Sequence, residues 1–265
     1  MSCCDAEIVA STSCLLFLSL LILAFFLTCK YDVKRMIKFF AVKLGQGGFG
    51  AVYKGNLSNG GQVAVKMLKD VKGDGEEFMN EVASISRASH VNVVTLLRFC
   101  LEGSKRALIY EYMPNGSLER YVFISNLNSE NTLSREKLFD IAIGIARGLE
   151  YLHRGCIESV ISIGGERGTI GCIAPEVYSR QFGIVSRRSD VYSYGTMVLE
   201  MVGARDKNIN ADSESSSQEL VRKMTVVGLR CIQVIPTDRP TMTRVVEMLE
   251  GSTSNLELPP KVLLG

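Results

Sequence analysis

The stretch that decides the fold begins Leu44-Gly45-Gln46-Gly47-Gly48-Phe49-Gly50-Ala51-Val52. Its glycines at 45, 47 and 50 give the pattern GxGxxG, which is also found in dinucleotide-binding domains. A dinucleotide-binding loop opens a helix, whereas here a β-prone run at 51–55 leads through a turn at 58–61 into a second β-rich run at 62–68. The sequence therefore predicts a glycine-rich β-hairpin. Its backbone can approach phosphate oxygens because glycine has no Cβ to hold them away.

A lysine lies near the end of the second β-rich run, in Val63-Ala64-Val65-Lys66. Burying a lysine in a strand is costly unless its ammonium group meets anions. The following run, 76–85, has apolar residues at helical spacing, and Glu81 lies beside that apolar stripe. We expect Lys66 to pair with Glu81 and with the phosphates of a bound nucleotide.

Taken together, these segments resemble a protein kinase of the plant receptor-like serine/threonine class, and within it the rust-resistance-type receptor-like kinases. Residues 107–118 are similar to that family's last N-lobe strand and hinge. The resemblance implies a two-lobed α+β fold over 39–250, with a five-stranded sheet and one helix in the N-lobe (39–116). It also implies a mainly helical, abridged C-lobe (117–250), ATP and Mg²⁺ as cofactors, and protein serine or threonine as substrate.

The same resemblance assigns roles to individual residues. Tyr110 is implied to be the gatekeeper, and Glu111 and Met113 are implied to offer backbone groups to adenine. The complete set of implied nucleotide-contacting residues is Leu44, Gly45, Gln46, Gly47, Gly48, Phe49, Gly50, Val52, Ala64, Lys66, Glu81, Tyr110, Glu111 and Met113.

The sequence lacks the acidic and amide residues that are expected at the catalytic centre of a kinase. Between Asp140 and Asp190 there is no aspartate, and between Asn131 and Asn208 there is no asparagine. A kinase places its catalytic aspartate, its metal-binding asparagine and the D-F-G aspartate in that interval. We therefore expect no catalytic residue and no metal ligand in this chain, weak ATP binding, and impaired phosphate transfer.

The family pattern resumes after this gap. Ala174-Pro175-Glu176 resembles the kinase A-P-E motif, and Arg239 resembles its ion-pair partner. Asp190 resembles the residue that braces the catalytic loop, so here it is left to cap its own helix. A long helix is predicted over 134–154 with Ser134 as its N-cap. Residues 203–218 are polar and serine-rich, which predicts a loop and a second shortening relative to the family.

Three functional interpretations stay open from the sequence. In the first interpretation, the chain is a catalytically dead receptor-like kinase that acts as a binding module or dominant-negative partner. Alternatively, it is an incorrectly assembled or alternatively spliced version of an active kinase, since both shortenings fall between intact motif blocks. The third interpretation, a working kinase with a rebuilt metal site, is the least supported.

The N-terminal region predicts a membrane anchor. Residues 8–29 carry no charge and would form a helix about 33 Å long, enough to cross a bilayer core. Basic residues in the juxtamembrane stretch 30–38 place the remainder in the cytosol by the positive-inside rule. Residues 1–7 are expected to form an N-terminal tail outside the membrane, and the C-terminal tail 251–265 is expected to be disordered or loosely attached. The predicted location is the plasma membrane.

Charge and cysteine content limit the remaining classes of function. The formal net charge of +2 is too small to indicate a nucleic-acid partner. The eight cysteines show no metal-ligand spacing, and a cytosolic domain keeps its thiols reduced. The expected partners are the membrane, protein substrates and other receptor-like kinases.

Overall fold

The computed structural model describes residues 42–47, 50–57, 59–68, 76–102, 105–122, 133–155, 173–179, 184–206, 215–252 and 256–259. The predicted span 8–29, the juxtamembrane stretch 30–38 and most of the region around the missing catalytic centre lie outside these ranges. Within the described ranges, no helix has both the length and the apolar character needed to cross a bilayer.

An antiparallel sheet forms the first of two compact units, which combines the described residues up to Met79 with Leu96–Tyr112. Its strand order is β1-β2-β3-β5-β4. The strands are β1 (Val42–Gly47), β2 (Gly50–Asn56), β3 (Gln62–Leu68), β4 (Leu96–Glu102) and β5 (Lys105–Glu111). The predicted five-stranded sheet is confirmed, and the hairpin predicted over residues 51–68 is formed by β2 and β3. The glycines at 45, 47 and 50 lie on β1 and β2, which also pair with each other and are called the glycine-rich hairpin below.

The two faces of this sheet differ in burial. Alternate residues of the central strands point to one face, where Val63, Val65, Ala107 and Ile109 are almost completely buried and pack with Cys100. Residues between them point to the opposite face. Because one face is committed to the core, the register of β3 and β5 is fixed, and so is the face on which Lys66 lies.

Helices form the second unit, which contains Asn80–Thr95 and the described residues from Met113 onward. Its helices, together with α1 (which begins in the first unit), are α1 (Glu76–Ile85), α2 (Glu119–Val122), α3 (Arg135–Arg154), α4 (Pro175–Tyr178), α5 (Arg187–Asp206), α6 (Ser215–Cys231) and α7 (Met242–Glu250), with a 3₁₀ turn at Pro236–Asp238. The predicted N-lobe boundary at residue 116 differs from this division. Asn80–Thr95 group with the helices because Asn92 packs against the glycines Gly144 and Gly148 of α3.

Helix α3 begins as the sequence predicts. The Ser134 hydroxyl accepts a hydrogen bond from the Lys137 backbone N–H at 3.2 Å, which satisfies one of the unpaired donors at the helix start. Leu138, Ala142 and Ala146 lie on its buried face. The Ala142 carbonyl also accepts a hydrogen bond from the Tyr194 hydroxyl at 3.0 Å, which links α3 to α5.

Helices α5 and α6 cross at two glycines. A Cβ on Gly195 would lie 2.5 Å from the Cys231 Cβ, and a Cβ on Gly228 would lie 2.7 Å from the Leu199 Cγ. Such distances leave no room for a methyl group, so the close approach depends on both glycines. Cys231 is buried at this crossing, and burial raises the pKa of its thiol to about 12. Cys231 and Cys100 are both buried, as expected for isolated structural thiols.

Two predictions for the C-terminal half require correction. The predicted loop 203–218 is shorter than expected, because α5 continues to Asp206 and α6 already begins at Ser215. Leu220 and Val221, in the second turn of α6, line one cavity together with Leu138 of α3 and Met201 of α5, so the start of α6 lies against these two helices. In the described part of the predicted loose tail, Leu256 is buried and its side chain joins the helical core.

Candidate nucleotide-binding site

The face of the sheet opposite its buried core carries four of the predicted nucleotide-contacting residues, which are Val52, Ala64, Lys66 and Tyr110. Lys66 on β3 is paired with Val52 on β2 and with Leu108 on β5. Directly paired residues of antiparallel strands point to the same face, so these three side chains lie in one row. Ala64 and Tyr110 form the next row, because Ala64 pairs with Tyr110. Val52, Ala64, Lys66 and Tyr110 are each partly exposed, whereas Leu108 is buried.

The hairpin at the edge of this face requires glycine at one position and leaves space at another. Gly50 has φ 145°, and a Cβ there would lie 1.9 Å from the Met67 carbonyl oxygen. A Cβ on Gly45 would meet no atom within 4 Å. Gly50 is therefore needed for the hairpin itself, whereas Gly45 leaves room above the sheet for a ligand to approach the backbone. Leu44, Gln46 and Gly47 lie on β1, and Gly48 and Phe49 fall outside the described residues.

The predicted hinge follows the end of β5. Glu111 is the last residue of β5 and pairs with Val63 of β3. Met113 follows β5 and is 46% exposed, and its carbonyl accepts a hydrogen bond from the Gly116 N–H at 3.3 Å. Between them, Tyr112 packs under the Lys54 ammonium, whose nitrogen lies 4.4 Å from the ring centre. The roles of Tyr110, Glu111 and Met113 toward adenine stay predictions.

The predicted partner of Lys66 lies on α1. Phe78, in the first turn of α1, makes an edge-to-face contact with Phe99 of β4, with ring centres 6.3 Å apart. Phe99 pairs with Leu108 and therefore points to the same face as Lys66. Glu81 follows Phe78 by less than one helical turn, but its side chain is outside the described part of the structure. The Lys66–Glu81 pair stays a prediction.

The described residues can be compared with the needs of the two cofactors of a kinase, ATP and Mg²⁺. An open glycine backbone and a lysine on the adjoining strand suit the phosphates of ATP. For a metal ion, no three His, Cys, Asp or Glu side chains converge anywhere in the described ranges. Residues 156–172 are not among those ranges, so the predicted loss of the metal ligands rests on the sequence alone.

A second set of predicted residues forms a buried network in the helical unit. The Arg239 guanidinium donates to the Glu176 carboxylate from both terminal nitrogens, Nη1 to Oε1 at 2.6 Å and Nη2 to Oε2 at 2.9 Å. Its remaining N–H groups donate to the carbonyls of Gln233, Val234 and Arg188. All guanidinium donors are therefore satisfied, which a buried arginine requires. The predicted pair of Glu176 with Arg239 is confirmed.

Glu176 receives one further hydrogen bond, from the Ser189 hydroxyl at 2.7 Å. Burial acts to raise the pKa of Glu176. The hydrogen bonds from Arg239 and Ser189 outweigh burial, so the pKa lies below its ordinary value. The Glu176 carboxylate is consequently held in its charged form.

Asp190 has a different role from the one predicted. It lies inside α5, which begins at Arg187, so it is not the N-cap of that helix. Its Oδ2 lies 2.8 Å from Nε2 of His153, the buried histidine in the last turn of α3. The prediction that Asp190 caps its own helix is wrong, because Asp190 lies within the first turn of α5 and not before it.

Sequence reasoning missed the His153–Asp190 bond and the packing of Asn92 against α3. Tyr151 of α3 completes that packing: its hydroxyl accepts from the Ser89 N–H at 3.1 Å, and its ring stacks on His90 at 5.0 Å. The spacing of Gly144 and Gly148 by one helical turn was an available signal of close approach. Histidine and aspartate at 153 and 190 gave no such signal.

Comparison with known proteins fits this geometry. A family model described as protein tyrosine and serine/threonine kinase matches residues 39–161. The leaf rust 10 disease-resistance locus receptor-like protein kinase-like 2.4 of Arabidopsis thaliana is 46% identical over 297 residues, covering 88% of this chain and 48% of the relative. The chain belongs to the plant receptor-like kinases.

Other relatives extend this result. The receptor-like protein kinase-like 2.5 of the same group is 45% identical, covering 88% of this chain and 44% of the relative. The PR5-like receptor kinase, also from Arabidopsis thaliana, is 43% identical with the same two coverages. This receptor-like kinase chain thus spans about half the length of the curated relatives it matches.

The length of the match is informative in itself. The matched span of 297 residues exceeds the 265 residues of the whole chain, so the relative carries residues within that span for which this chain has no counterpart. Protein kinases as a family use ATP and Mg²⁺ and act on proteins. Among the residues that the structure describes, Val52, Ala64, Lys66 and Tyr110 share one face of the sheet, where the resemblance to kinases predicts nucleotide contacts.

Proposed function

We propose that this chain is a membrane-anchored receptor-like kinase that binds nucleotide weakly and does not transfer phosphate. The observation that carries the proposal is the absence of aspartate between Asp140 and Asp190. Phosphate transfer needs a group that positions and deprotonates the acceptor hydroxyl, and a metal ion that holds charge on the phosphate oxygens. Loss of either costs orders of magnitude in rate, and here the sequence offers neither.

Two features support a missing segment rather than a different fold. The family match ends at residue 161, close to the point where the sequence departs from the kinase pattern. Beyond that point, the Glu176–Arg239 pair and its network are complete. A chain that keeps these distant elements but lacks the residues between them is suited to binding other proteins rather than to catalysis. Its partners would be other receptor-like kinases or their protein substrates.

The test is incorporation of labelled γ-phosphate by the purified full chain, with magnesium or manganese, into itself and into a generic protein substrate. We expect no incorporation above that of the Lys66→Ala variant, which reveals any contaminating kinase. Activity in the unsubstituted chain that disappears in Lys66→Ala would contradict the proposal.

The alternative is that the chain is a spliced or incorrectly assembled form of an active serine/threonine kinase. It is favoured by the position of the sequence break between two intact motif blocks. The transcript sequence across residues 156–157 decides this. A major transcript that encodes an additional segment there would assign the activity to the longer protein.

The membrane anchor is tested separately. Because residues 8–29 are uncharged and are followed by basic residues, we propose a single span with the kinase-like part in the cytosol. Protease added to sealed microsomes should digest the part that follows residue 38. Full protection of that part would contradict the orientation, and release of the intact chain by carbonate would contradict the span.

A further inference from the structure

A histidine side chain closes the turn that lies between α1 and β4. Nδ1 of His90 accepts a hydrogen bond from the backbone N–H of Asn92 at 3.2 Å, two residues further along the chain. The Val93 N–H donates to the His90 carbonyl at 2.9 Å, so both of these bonds end on His90. Asn and Asp side chains commonly accept a hydrogen bond from the N–H two residues on. Here an imidazole nitrogen takes the place of their side-chain oxygen.

The chain also contains an ordinary turn of this kind. Oδ1 of Asn59 accepts from the Gly61 N–H at 3.1 Å, again across two residues. An amide oxygen does not titrate, whereas histidine changes its charge between about pH 5 and pH 8. Both ring nitrogens of a protonated histidine are donors, so neither can accept a hydrogen bond. Protonation of His90 and its bond to the Asn92 N–H therefore exclude each other.

The turn that His90 closes packs against α3. A Cβ on Gly144 would lie 2.9 Å from Nδ2 of Asn92, and a Cβ on Gly148 would lie 3.0 Å from the Asn92 carbonyl oxygen. Asn92 is therefore fitted into a groove that exists because both residues of α3 are glycine. The His90 ring stacks on the Tyr151 ring of the same helix, with the ring centres 5.0 Å apart. His90 thus contacts α3 directly and also orients the residue that enters the groove.

The charged groups nearest to this contact do not hold a proton on His90. Tyr151 is the titratable group that touches the ring. Within about one helical turn of Tyr151 on α3 there are two ion pairs, Arg147–Glu250 and Arg154–Glu150. The nearest charged residue along the chain is Arg87, which is a cation. In the part of the chain that the structure describes, His90 forms no ion pair of its own.

We propose that His90 makes the attachment of this turn to α3 sensitive to pH. Near neutral pH the uncharged ring orients Asn92 in the groove. On acidification, a proton on Nδ1 removes the acceptor and faces the Asn92 N–H with a second donor. The imidazolium keeps its place on the Tyr151 ring, because an aromatic face also attracts a cation. The turn therefore loosens at Asn92, by a change that needs neither nucleotide nor phosphate transfer.

Amide hydrogen exchange of the full chain, compared at about pH 7.5 and about pH 5.5, measures this loosening. Each rate is divided by the rate of an unstructured peptide at the same pH, which removes the intrinsic effect of pH on exchange. We expect the protection of the Asn92 N–H to fall roughly two- to tenfold on acidification, which is the effect of losing one hydrogen bond. The protection of Val226 and Val227 in α6 should not fall in parallel.

Two substitutions separate the acceptor from the aromatic ring. His90→Asn supplies an acceptor that does not titrate, in the arrangement that Asn59 already adopts. We expect the Asn92 N–H of this variant to be protected at both pH values. His90→Phe keeps a ring that can stack on Tyr151 but offers no acceptor. We expect its Asn92 N–H to be poorly protected at both pH values.

Either of two results would overturn the proposal. Protection of Asn92 that does not change with pH in the unsubstituted chain would mean that protonation of His90 does not loosen the turn. The same response to pH in His90→Asn would assign the response to another group, such as His153, the second histidine of the chain. Both comparisons stand even if His90→Phe does not fold.

Discussion

Glu176 and Arg239 lie 63 residues apart in sequence and form an ion pair in which neither side chain is exposed to solvent. The pair has both features that make a buried ion pair tolerable. Its geometry is bidentate, and the remaining donors of Arg239 bind backbone carbonyls. It joins α4, the start of α5 and the turn before α7. We expect it to control the stability of the helical unit.

Replacing Glu176 with Gln should destabilise the full chain by about 3–5 kcal/mol, because the Arg239 charge stays buried without its counter-charge. Urea unfolding measures this difference. The matched control is Glu247→Gln, which breaks the exposed pair between Glu247 and Arg244 and should cost less than about 1 kcal/mol. Similar effects of the two substitutions would contradict a central role for the buried pair.

Stability should also depend on pH through Glu176. Its pKa is lower in the folded chain than in the unfolded chain, so its stabilising contribution is present above the unfolded value of 4.5. That contribution is lost as the pH falls from 4.5 through the lower folded pKa. Denaturant unfolding measured from pH 6 to pH 3 should therefore show a steeper acid-dependent loss in the unsubstituted chain than in Glu176→Gln. Parallel curves would show that another group dominates.

The crossing of α5 and α6 predicts opposite effects on stability when either of two glycines of α5, Gly195 or Gly203, is replaced with alanine. Gly195→Ala should destabilise by about 1–3 kcal/mol or more, because the new methyl group would overlap Cys231 and the Gly228 carbonyl. Gly203→Ala, where a Cβ meets no atom within 4 Å, should instead stabilise α5 by up to about 1 kcal/mol. Thermal unfolding should shift in opposite directions, and a common direction would contradict the crossing geometry.

The glycine-rich hairpin offers a similar comparison. Gly50→Ala should destabilise by about 1–3 kcal/mol, because of its positive φ and the overlap with the Met67 carbonyl. Gly45→Ala should leave stability nearly unchanged, since its Cβ points into open space. If phosphates approach this backbone, Gly45→Ala will nevertheless weaken nucleotide binding. A Gly45→Ala chain that binds nucleotide normally would place the ligand elsewhere.

Nucleotide binding should be weak and nearly independent of magnesium, because the sequence lacks the aspartates that hold the metal in a kinase. Calorimetry with ATP, with and without magnesium, measures this. Lys66→Ala should reduce whatever binding is present. Lys54→Ala is the matched control, because it removes the same charge from the same face of the sheet. Since the Lys54 ammonium lies over the Tyr112 ring, this substitution should reduce nucleotide binding less than Lys66→Ala. Tight binding that requires magnesium would reveal a metal ligand outside the expected interval.

Sequence alone determined the features that depend on spacing within a few residues. The GxGxxG pattern followed by two β-rich runs predicted the hairpin and the position of Lys66, and the structure confirms the five-stranded sheet. Ser134 was identifiable as an N-cap because capping acts over three residues of chain. Glu176 and Arg239 could be paired before the structure was known, through the resemblance to kinases rather than through any local signal.

Tertiary structure decided the contacts between residues far apart in sequence. The bond between His153 and Asp190, the glycine crossing at Gly195 and Gly228, and the attachment of Leu256 each depend on how helices pack. A local pattern fixes which face of a helix is apolar, but it does not fix which other helix covers that face. That choice is made by the fit of complete surfaces, where small residues permit close approach and buried polar groups must find partners.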